Sequence, residues 1–293
     1  ILDRGYSGQL AMGEPLHRHC SLRVGGAAGL FAVPESTGDL RVLMESLGRD
    51  AIPWILIGGG TNVVFSNGGY SGCVVRLGEE FSRVRREEET LVTAGAAAAL
   101  PRLVTFAGRE GLAGLECLAG IPGSVGGAVR MNAGTREGEI GDVVEQVQIF
   151  DGREPQWIPG QEMGFSYRRT ILPEDRVILA VRLRLRAETG EAVRSRVAQQ
   201  MERRRTSQPT GVASAGCWFR NPEGDSAGRL IDAAGMKGVR CGGAQVSPVH
   251  ANFLVNTGGA TAADFLALAG KVKETVHERF GISLEEEVRI IHG

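Results

Sequence analysis

The sequence has few of the features that mark several classes of protein. It contains five cysteines, an odd number with no C-x-x-C pair: Cys20, Cys73, Cys117, Cys217 and Cys241. A disulfide scaffold and a structural zinc site are therefore poor first hypotheses, and a reducing cytoplasm is favoured. The five histidines show no metal-ligand spacing with Cys, Asp or Glu, so we expect no metal site. Apolar runs stay well short of the ~18–20 residues of a membrane span, so we expect no membrane insertion.

Net charge is also nearly absent. The 33 basic and 34 acidic side chains give a formal charge of −1, and only three of the basic residues are lysines. A nucleic-acid-binding protein normally carries a basic surface, so we expect no nucleic-acid partner. The 293 residues are 42% hydrophobic, which is ordinary for a globular protein with two or three domains.

Glycine, in contrast, is abundant: 43 residues, about twice the usual share. Seven of them lie in two short segments, which we call the first glycine loop (Gly58–Asn62) and the second glycine loop (Gly120–Ala128). Glycine lets backbone N–H groups approach an anion closely, and Thr61 and Asn62 add side-chain donors to the first loop. The second loop leads into Asn132 and is a candidate pyrophosphate site at a helix start. The alternative is that both loops are simply tight turns.

The two best-known nucleotide-binding motifs are missing. Gly58 and Gly60 are followed by Val63, so no G-x-G-x-x-G occurs, and Gly270-Lys271 is followed by Val272, which excludes a Walker A motif. A dinucleotide ligand therefore needs a fold other than the Rossmann or P-loop type.

Several secondary-structure elements follow from residue patterns. Ser36 and Thr37 begin a helix that extends to Leu47, and Thr261 with Asp264 forms a capping box at the start of another. Val177–Arg186 alternates apolar residues with arginines, which predicts an antiparallel strand with one wet face. We also expect strands at residues 54–57, 253–256 and 284–291, and helices at residues 191–205 and 227–234.

Three short segments carry reactive side chains. Tyr167-Arg168 places a guanidinium beside an aromatic ring, Cys217 lies between Gly216 and Trp218, and Glu287 belongs to a run of three glutamates. An arginine can stabilise a developing anion, and a thiol can donate a proton or act as a nucleophile. Each segment also has a simpler explanation, respectively a surface arginine, a buried thiol and a solvated acidic edge.

Taken in order along the chain, these motifs resemble one family. They are Ser21–Gly26, both glycine loops, Tyr167-Arg168, Gly216-Cys217 with Asn221-Pro222, Gly242–Val246 and Glu287–Arg289. The chain resembles the UDP-N-acetylenolpyruvoylglucosamine reductase family over nearly the whole length of the chain, and within that family it resembles the compact branch. The resemblance implies an α+β protein with an FAD-binding fold of the p-cresol methylhydroxylase type and a C-terminal α/β substrate-binding domain. We expect the FAD-binding lobes at residues 1–78 and 79–187 and the substrate domain at residues 188–293, with its last strand returning to the active site.

The resemblance also implies a reaction. NADPH reduces the bound FAD, and the flavin then gives hydride to the enolpyruvyl group of UDP-N-acetylenolpyruvoylglucosamine, forming UDP-N-acetylmuramate for peptidoglycan. Arg168 would stabilise the enolate, Glu287 would assist in protonated form, and Cys217 would supply the proton. The UDP-sugar would contact Tyr167, Arg204, Gln208, Asn221 and His250. The cofactor would contact Gly58, Gly59, Gly60, Thr61, Asn62, Gly120, Ile121, Pro122, Gly123, Ser124, Gly126, Gly127, Ala128, Asn132 and Arg289.

The chain departs from the family pattern at two points. Related enzymes usually have serine where this chain has Cys217, but a thiol, with a pKa near ~8.5, can also deliver a proton. The segment between Arg168 and Cys217 is too short for the extra tyrosine-bearing cover that some members carry. Two other functions stay open: an FAD oxidase or dehydrogenase of the same fold, and a nucleotide-sugar binder without catalysis. We expect no obligate protein partner.

Overall fold

A computed structural model describes residues 5–293 and contains both helices and sheets. The helix predicted from Ser36 is confirmed as α1. The Ser36 hydroxyl caps its first turn by accepting the Asp39 N–H at 3.0 Å. Within the described residues, no helix has both the length and the apolar character that crossing a bilayer requires. The helices are Thr37–Arg49 (α1), Leu100–Glu110 (α2), Val125–Arg130 (α3), Gly190–Ser207 (α4), Ala227–Ala233 (α5) and Ala262–Phe280 (α6).

The strands are mostly short, and they are separated by glycine-containing turns. In chain order they are Gln9–Pro15 (β1), Ala27–Val33 (β2), Trp54–Leu56 (β3), Val63–Phe65 (β4), Tyr70–Val75 (β5), Val84–Arg86 (β6), Leu91–Gly95 (β7), Leu112–Ala113 (β8), Gly134–Thr135 (β9), Gly138–Glu139 (β10), Val144–Phe150 (β11), Pro155–Pro159 (β12), Val177–Arg184 (β13), Arg186–Ala187 (β14), Ala213–Cys217 (β15), Arg240–Cys241 (β16), Ala244–Val246 (β17), Phe253–Asn256 (β18) and Arg289–Ile291 (β19). Four of them form a sheet in the order β1-β2-β5-β3.

The chain folds into two compact units, each assembled from separate stretches of sequence. Unit 1 contains residues 5–11, 30–59 and 73–203, and unit 2 contains residues 12–29, 60–72 and 204–293. The division into lobes at residues 78 and 187 stays a prediction.

Unit 1 is built around an antiparallel sheet in the order β12-β11-β13-β7-β6. The strand predicted from the alternation after Val177 is confirmed as β13, which pairs antiparallel with β11 and β7. Its wet face is confined to the C-terminal half: Arg182 is half-buried and Arg184 exposed, whereas Ile178 is buried. Leucines of α1 and α2 fill the core beside this sheet, among them Leu40, Leu43, Leu100 and Leu103.

Unit 2 contains an antiparallel sheet in the order β15-β18-β17-β16 and the helices α5 and α6. Both halves of the predicted capping box at Thr261 and Asp264 are present at the start of α6. The buried Trp218, just after β15, stacks on Phe265 of α6 with ring centroids 5.7 Å apart. This contact fixes the strand that carries Cys217.

The strand predicted over residues 284–291 is wrong in its first half. Only Arg289–Ile291 forms β19, which pairs parallel with β4. The preceding residues pair elsewhere: Glu286 forms an isolated bridge with Phe219, and the Arg220 N–H donates to the Glu285 carbonyl at 2.9 Å. The segment changes partner at Glu287, so a single continuous ladder cannot form.

Candidate active site

The first glycine loop leaves β3 with its backbone donors unused. The Ile57 N–H donates to Val75 at 2.9 Å, which is the last sheet bond before the loop. Among residues 5–293, no protein acceptor lies within hydrogen-bonding distance of the N–H groups of Gly58, Gly59 or Gly60. Gly58 and Gly59 are also exposed. A row of free N–H groups at the end of a strand suits an anionic ligand such as a phosphate.

Within unit 1, the start of this loop lies directly against the second glycine loop. A Cβ atom on Gly58 would lie 2.2 Å from Ser124 Oγ, and one on Gly59 would lie 2.8 Å from Gly123 Cα. Only glycine fits at such a distance, so packing between the loops is a second reason for these glycines. The sequence suggested only the close approach of an anion.

The second glycine loop leads into a short helix, as the sequence predicts, and its residues 125–128 already belong to α3. Ser124 caps α3 by accepting the Gly127 N–H at 3.3 Å. Gly120 and Gly123 have φ values of +75° and +113°, which side-chain-bearing residues rarely adopt. A Cβ on Gly126 would meet Ala96 at 2.8 Å. The loop is therefore held in one shape by backbone conformation and packing.

Asn132 is almost fully buried, and its amide is used by the protein itself. Its Oδ1 accepts the Gly141 N–H at 3.1 Å, while Nδ2 donates to the Ser166 carbonyl at 3.1 Å and to the Glu139 carboxylate. The residue has a left-handed φ of +44°, which asparagine tolerates better than most residues. Its interactions connect the segment after α3 to the turn that carries Arg168.

Tyr167 and Arg168 occupy the two central positions of a tight turn. Ser166 and Arg169 exchange two backbone hydrogen bonds of 3.0 Å across the turn. Arg168 has a φ of +54°, a strained value that tends to occur at functional sites. Its guanidinium lies 5.0 Å from the Tyr167 ring centroid, and Nη2 donates to the Gly134 carbonyl at 3.1 Å. The charged group therefore has a defined orientation.

In unit 2, Cys217 and Glu287 are brought to neighbouring positions. Cys217 ends β15 opposite Phe253, and the next residue, Trp218, accepts the Glu287 N–H at 2.8 Å. Gly216, with a φ of +77°, lies at an irregularity in the strand just before Cys217. Both side chains are half-buried. The sequence places these two residues 70 positions apart, and only the tertiary structure brings them close.

The remaining predicted contacts of unit 2 include Arg204, Gln208, Asn221 and Arg289. The Asn221 side chain accepts the Ala227 N–H at 3.0 Å, and the Gln208 N–H donates to the Arg204 carbonyl at 2.9 Å at the end of α4. Arg289 is exposed at the start of β19.

His250 is half-buried, and one of its ring nitrogens accepts a hydrogen bond from the backbone. Its Nδ1 accepts the Asn252 N–H at 3.2 Å, so the ring is neutral with its proton on Nε2. Burial lowers the pKa of His250, and the Lys237 ammonium lowers it further.

Sequence reasoning missed Asn252, a buried residue just before β18. Its side chain accepts the Phe219 N–H at 2.9 Å and donates to the Phe219 carbonyl at 2.8 Å, and its carbonyl accepts the Trp218 N–H at 2.7 Å. It clamps the chain directly after Cys217. An asparagine beside a predicted buried strand was the available signal.

Two cysteines of unit 1, Cys73 and Cys117, have raised pKa values. Burial raises the pKa of Cys73 to about 12, and burial together with Asp142 raises that of Cys117 to about 11. These thiols stay protonated and act as small apolar groups. Within the described part of the chain, no three His, Cys, Asp or Glu side chains are grouped so as to hold a metal ion.

Comparison with known proteins adds two family matches. The FAD binding domain matches residues 28–154, and the C-terminal domain of UDP-N-acetylenolpyruvoylglucosamine reductase matches residues 208–291. These matches lie on the two parts of the chain that carry the glycine loops and Cys217 with Glu287.

Individual relatives match over nearly the full length. The UDP-N-acetylenolpyruvoylglucosamine reductase of Trichlorobacter lovleyi is 44% identical over 286 residues, covering 98% of this chain and 94% of the relative. That of Pelobacter propionicus is also 44% identical, covering 97% of this chain and 96% of the relative. The crystal structure of the Thermus caldophilus enzyme has a TM-score of 0.84 at 39% identity, covering 97% of this chain and 98% of that one. The predicted fold class, an FAD-binding fold followed by a C-terminal domain, is confirmed.

Proposed function

The chain belongs to the UDP-N-acetylenolpyruvoylglucosamine reductase family, and from that premise we propose how its own residues carry out the reaction. It is an FAD-dependent oxidoreductase that reduces the enolpyruvyl group of UDP-N-acetylenolpyruvoylglucosamine, with NADPH as the hydride source. The product is UDP-N-acetylmuramate, a precursor of peptidoglycan. The observation that carries this function is the identity of 44% over nearly the whole chain, FAD-binding and C-terminal parts included.

The glycine loops fit the pyrophosphate of FAD. Gly58 and Gly59 present free N–H groups, and the contact with Gly123 and Ser124 leaves no room for side chains at these two positions. These residues would hold FAD, which when bound supplies hydride transfer from NADPH to the sugar. The proposed cofactor residues are Gly58–Asn62, Gly120–Gly123, Ser124, Gly126–Ala128, Asn132 and Arg289. Asn62 contributes its backbone N–H, because its side chain bonds to Glu287, and Asn132 acts through the backbone segments that its amide connects.

Arg168 of unit 1 is the residue proposed to bind and stabilise negative charge. Its guanidinium is oriented by the stack on Tyr167 and by the bond to Gly134, so it needs little reorganisation to bind a carboxylate. Donors that are already oriented stabilise charge that develops in the transition state more effectively than mobile ones. Arg168 would therefore bind the substrate carboxylate and stabilise the enolate.

Cys217 and Glu287 are the proposed proton-handling pair of unit 2. The hydrogen bond between the Glu287 N–H and the Trp218 carbonyl holds the two residues close to each other. Glu287 would assist the enolate in its protonated form, and Cys217 Sγ would deliver a proton to the adjacent carbon. Tyr167, Arg204, Gln208, Asn221 and His250 are the proposed UDP-sugar contacts.

We place the enzyme in the cytoplasm, without an obligate protein partner. None of the five cysteines forms a disulfide, which is typical of a reducing compartment.

The role of Cys217 is testable by separating the two halves of the reaction. FAD-loaded Cys217→Ala should be reduced by NADPH at the normal rate under anaerobic conditions, but reoxidation by the enolpyruvyl sugar should slow about 10²-fold or more. Cys217→Ser should retain much of the activity. Cys241→Ala is the matched control, because Cys241, like Cys217, is a half-buried cysteine of unit 2 that forms no disulfide. Normal reoxidation of Cys217→Ala in stopped flow would show that this thiol is not the proton donor.

A further inference from the structure

The backbone of Glu287 is held at both ends by groups outside the regular β ladder. Its N–H donates to the Trp218 carbonyl at 2.8 Å, and its carbonyl accepts from Asn62 Nδ2 at 3.0 Å. All three residues belong to unit 2. Asn62, which the sequence suggests as a cofactor contact, thus reaches the backbone of a proposed catalytic residue.

The register of β4 and β19 shows what is unusual in this arrangement. Arg289 pairs with Val63, and its N–H donates to the Asn62 carbonyl at 3.0 Å, as a parallel ladder requires. Continuation of the same ladder would join the Asn62 backbone N–H to the Glu287 carbonyl. Instead, the Asn62 side chain makes that bond.

The use of a side-chain donor in place of the backbone N–H affects both residues. The Glu287 carbonyl is satisfied, so the residue before β19 is held in place after its N–H has turned to Trp218. The Asn62 backbone N–H is left without a protein acceptor within residues 5–293, like the N–H groups that precede it in the first glycine loop. The side chain therefore supports Glu287 and leaves its own backbone donor to the loop.

We propose that Asn62 is a positioning residue for Glu287, which it holds through the side-chain hydrogen bond to the Glu287 carbonyl. This inference rests on the proposed role of Glu287 in reducing the sugar. It predicts that loss of the Asn62 amide affects the transfer to substrate much more than it affects FAD binding or reduction by NADPH. A misplacement of about 1 Å at a reacting group can cost about 10²-fold in rate.

The test compares FAD-loaded wild type with Asn62→Ala and Asn67→Ala. Asn67 is the matched control, because its side chain also makes a long-range bond in unit 2, but to the start of α6, where it accepts the Ala262 N–H at 2.9 Å. For Asn62→Ala we expect the wild-type FAD-to-protein ratio, reduction by NADPH within about two-fold, and reoxidation by the enolpyruvyl sugar slowed about 10- to 100-fold. Asn67→Ala should match wild type in all three.

A double variant tests whether Asn62 acts through Glu287. In a Glu287→Ala background, which has no side chain left to position, Asn62→Ala should cause little further slowing, since residues in one chain of interactions are not additive. Full additivity would overturn the inference, as would unchanged reoxidation in Asn62→Ala. Loss of FAD together with equal slowing of both half-reactions would overturn it too, by showing a direct cofactor contact. If Asn62→Ala yields no folded holoenzyme, Asn62→Ser, whose hydroxyl is too short to reach the carbonyl, carries the same expectation.

The proposed function has a separate outcome in the same experiment. It fails if reduced wild type is not reoxidised by the enolpyruvyl sugar, and the proposed role of Glu287 fails if Glu287→Ala alone is reoxidised at the wild-type rate. These results do not depend on any Asn62 variant.

Discussion

Gly59→Ala changes the contact between the two glycine loops by a single methyl group. The new Cβ would lie 2.8 Å from Gly123 Cα, against 3.4–4 Å for an ordinary contact, so the loops must separate by about 0.6 Å or more. Gly59 does not have a positive φ, so alanine adds no backbone strain there. Overpacking of this kind costs about 1–3 kcal/mol. If the loops relax apart in the apoprotein and must close again around FAD, the Kd for FAD rises about 5- to 150-fold.

The assay is titration of apoprotein with FAD, followed by flavin fluorescence, together with urea unfolding. Gly48→Ala is the matched control in unit 1, because Gly48 is an exposed residue of α1 and a Cβ there meets nothing within 4 Å. That variant should gain about 0.5–1 kcal/mol in the free energy of unfolding and keep the wild-type Kd for FAD. An unchanged Kd in Gly59→Ala, or an equal loss in Gly48→Ala, would refute the packing explanation.

Three further predictions concern buried polar groups. Burial raises the pKa of Asp39, but hydrogen bonds from Ser7 and from the Glu35 N–H bring it below its ordinary value. Asp39→Asn should therefore lose about 2 kcal/mol of unfolding free energy at pH 7 in urea titrations. The difference from wild type should shrink below about pH 4 as wild type takes up the proton, and a pH-independent difference would contradict this prediction. The lowered pKa of His250 means that wild type loses stability as the pH falls through about 6.5, because the unfolded state binds the proton first. His250→Gln should lack this loss, and an unfolding free energy that varies with pH in the same way in the variant and in wild type would disprove the prediction. Asn132→Asp places a second carboxylate beside that of Glu139 and removes a hydrogen-bond donor. The free energy of unfolding of this variant should fall by about 3 kcal/mol at pH 7 and recover partly at about pH 5, whereas a pH-independent loss would exclude charge repulsion as the cause.

Local patterns predicted the elements whose stability depends on nearby residues. The capping box of Thr261 and Asp264 and the N-cap of Ser36 lie within three residues of the groups they bind, so they can be read directly from the sequence. The alternation after Val177 predicted β13 because the period of two lies within the segment itself, although the partners of β13 are remote in sequence. Residues 284–288 were predicted wrongly, because their partners at residues 218–220 are remote in sequence and compete with β4 for the same segment.

The sequence by itself determined the family, the cofactor and the reaction, because the ordered motifs of glycines, Tyr167-Arg168, Cys217 and Glu287 form a specific combination. The tertiary structure decided which side chains support that chemistry. Asn62 bonds to Glu287 across 225 positions, and Asn132 bonds to Ser166 across 34. An asparagine in a polar loop has the same residue pattern whether its amide meets a ligand or a distant carbonyl. Only the folded chain fixes that partner, because the hydrogen bond depends on distances that no local pattern specifies.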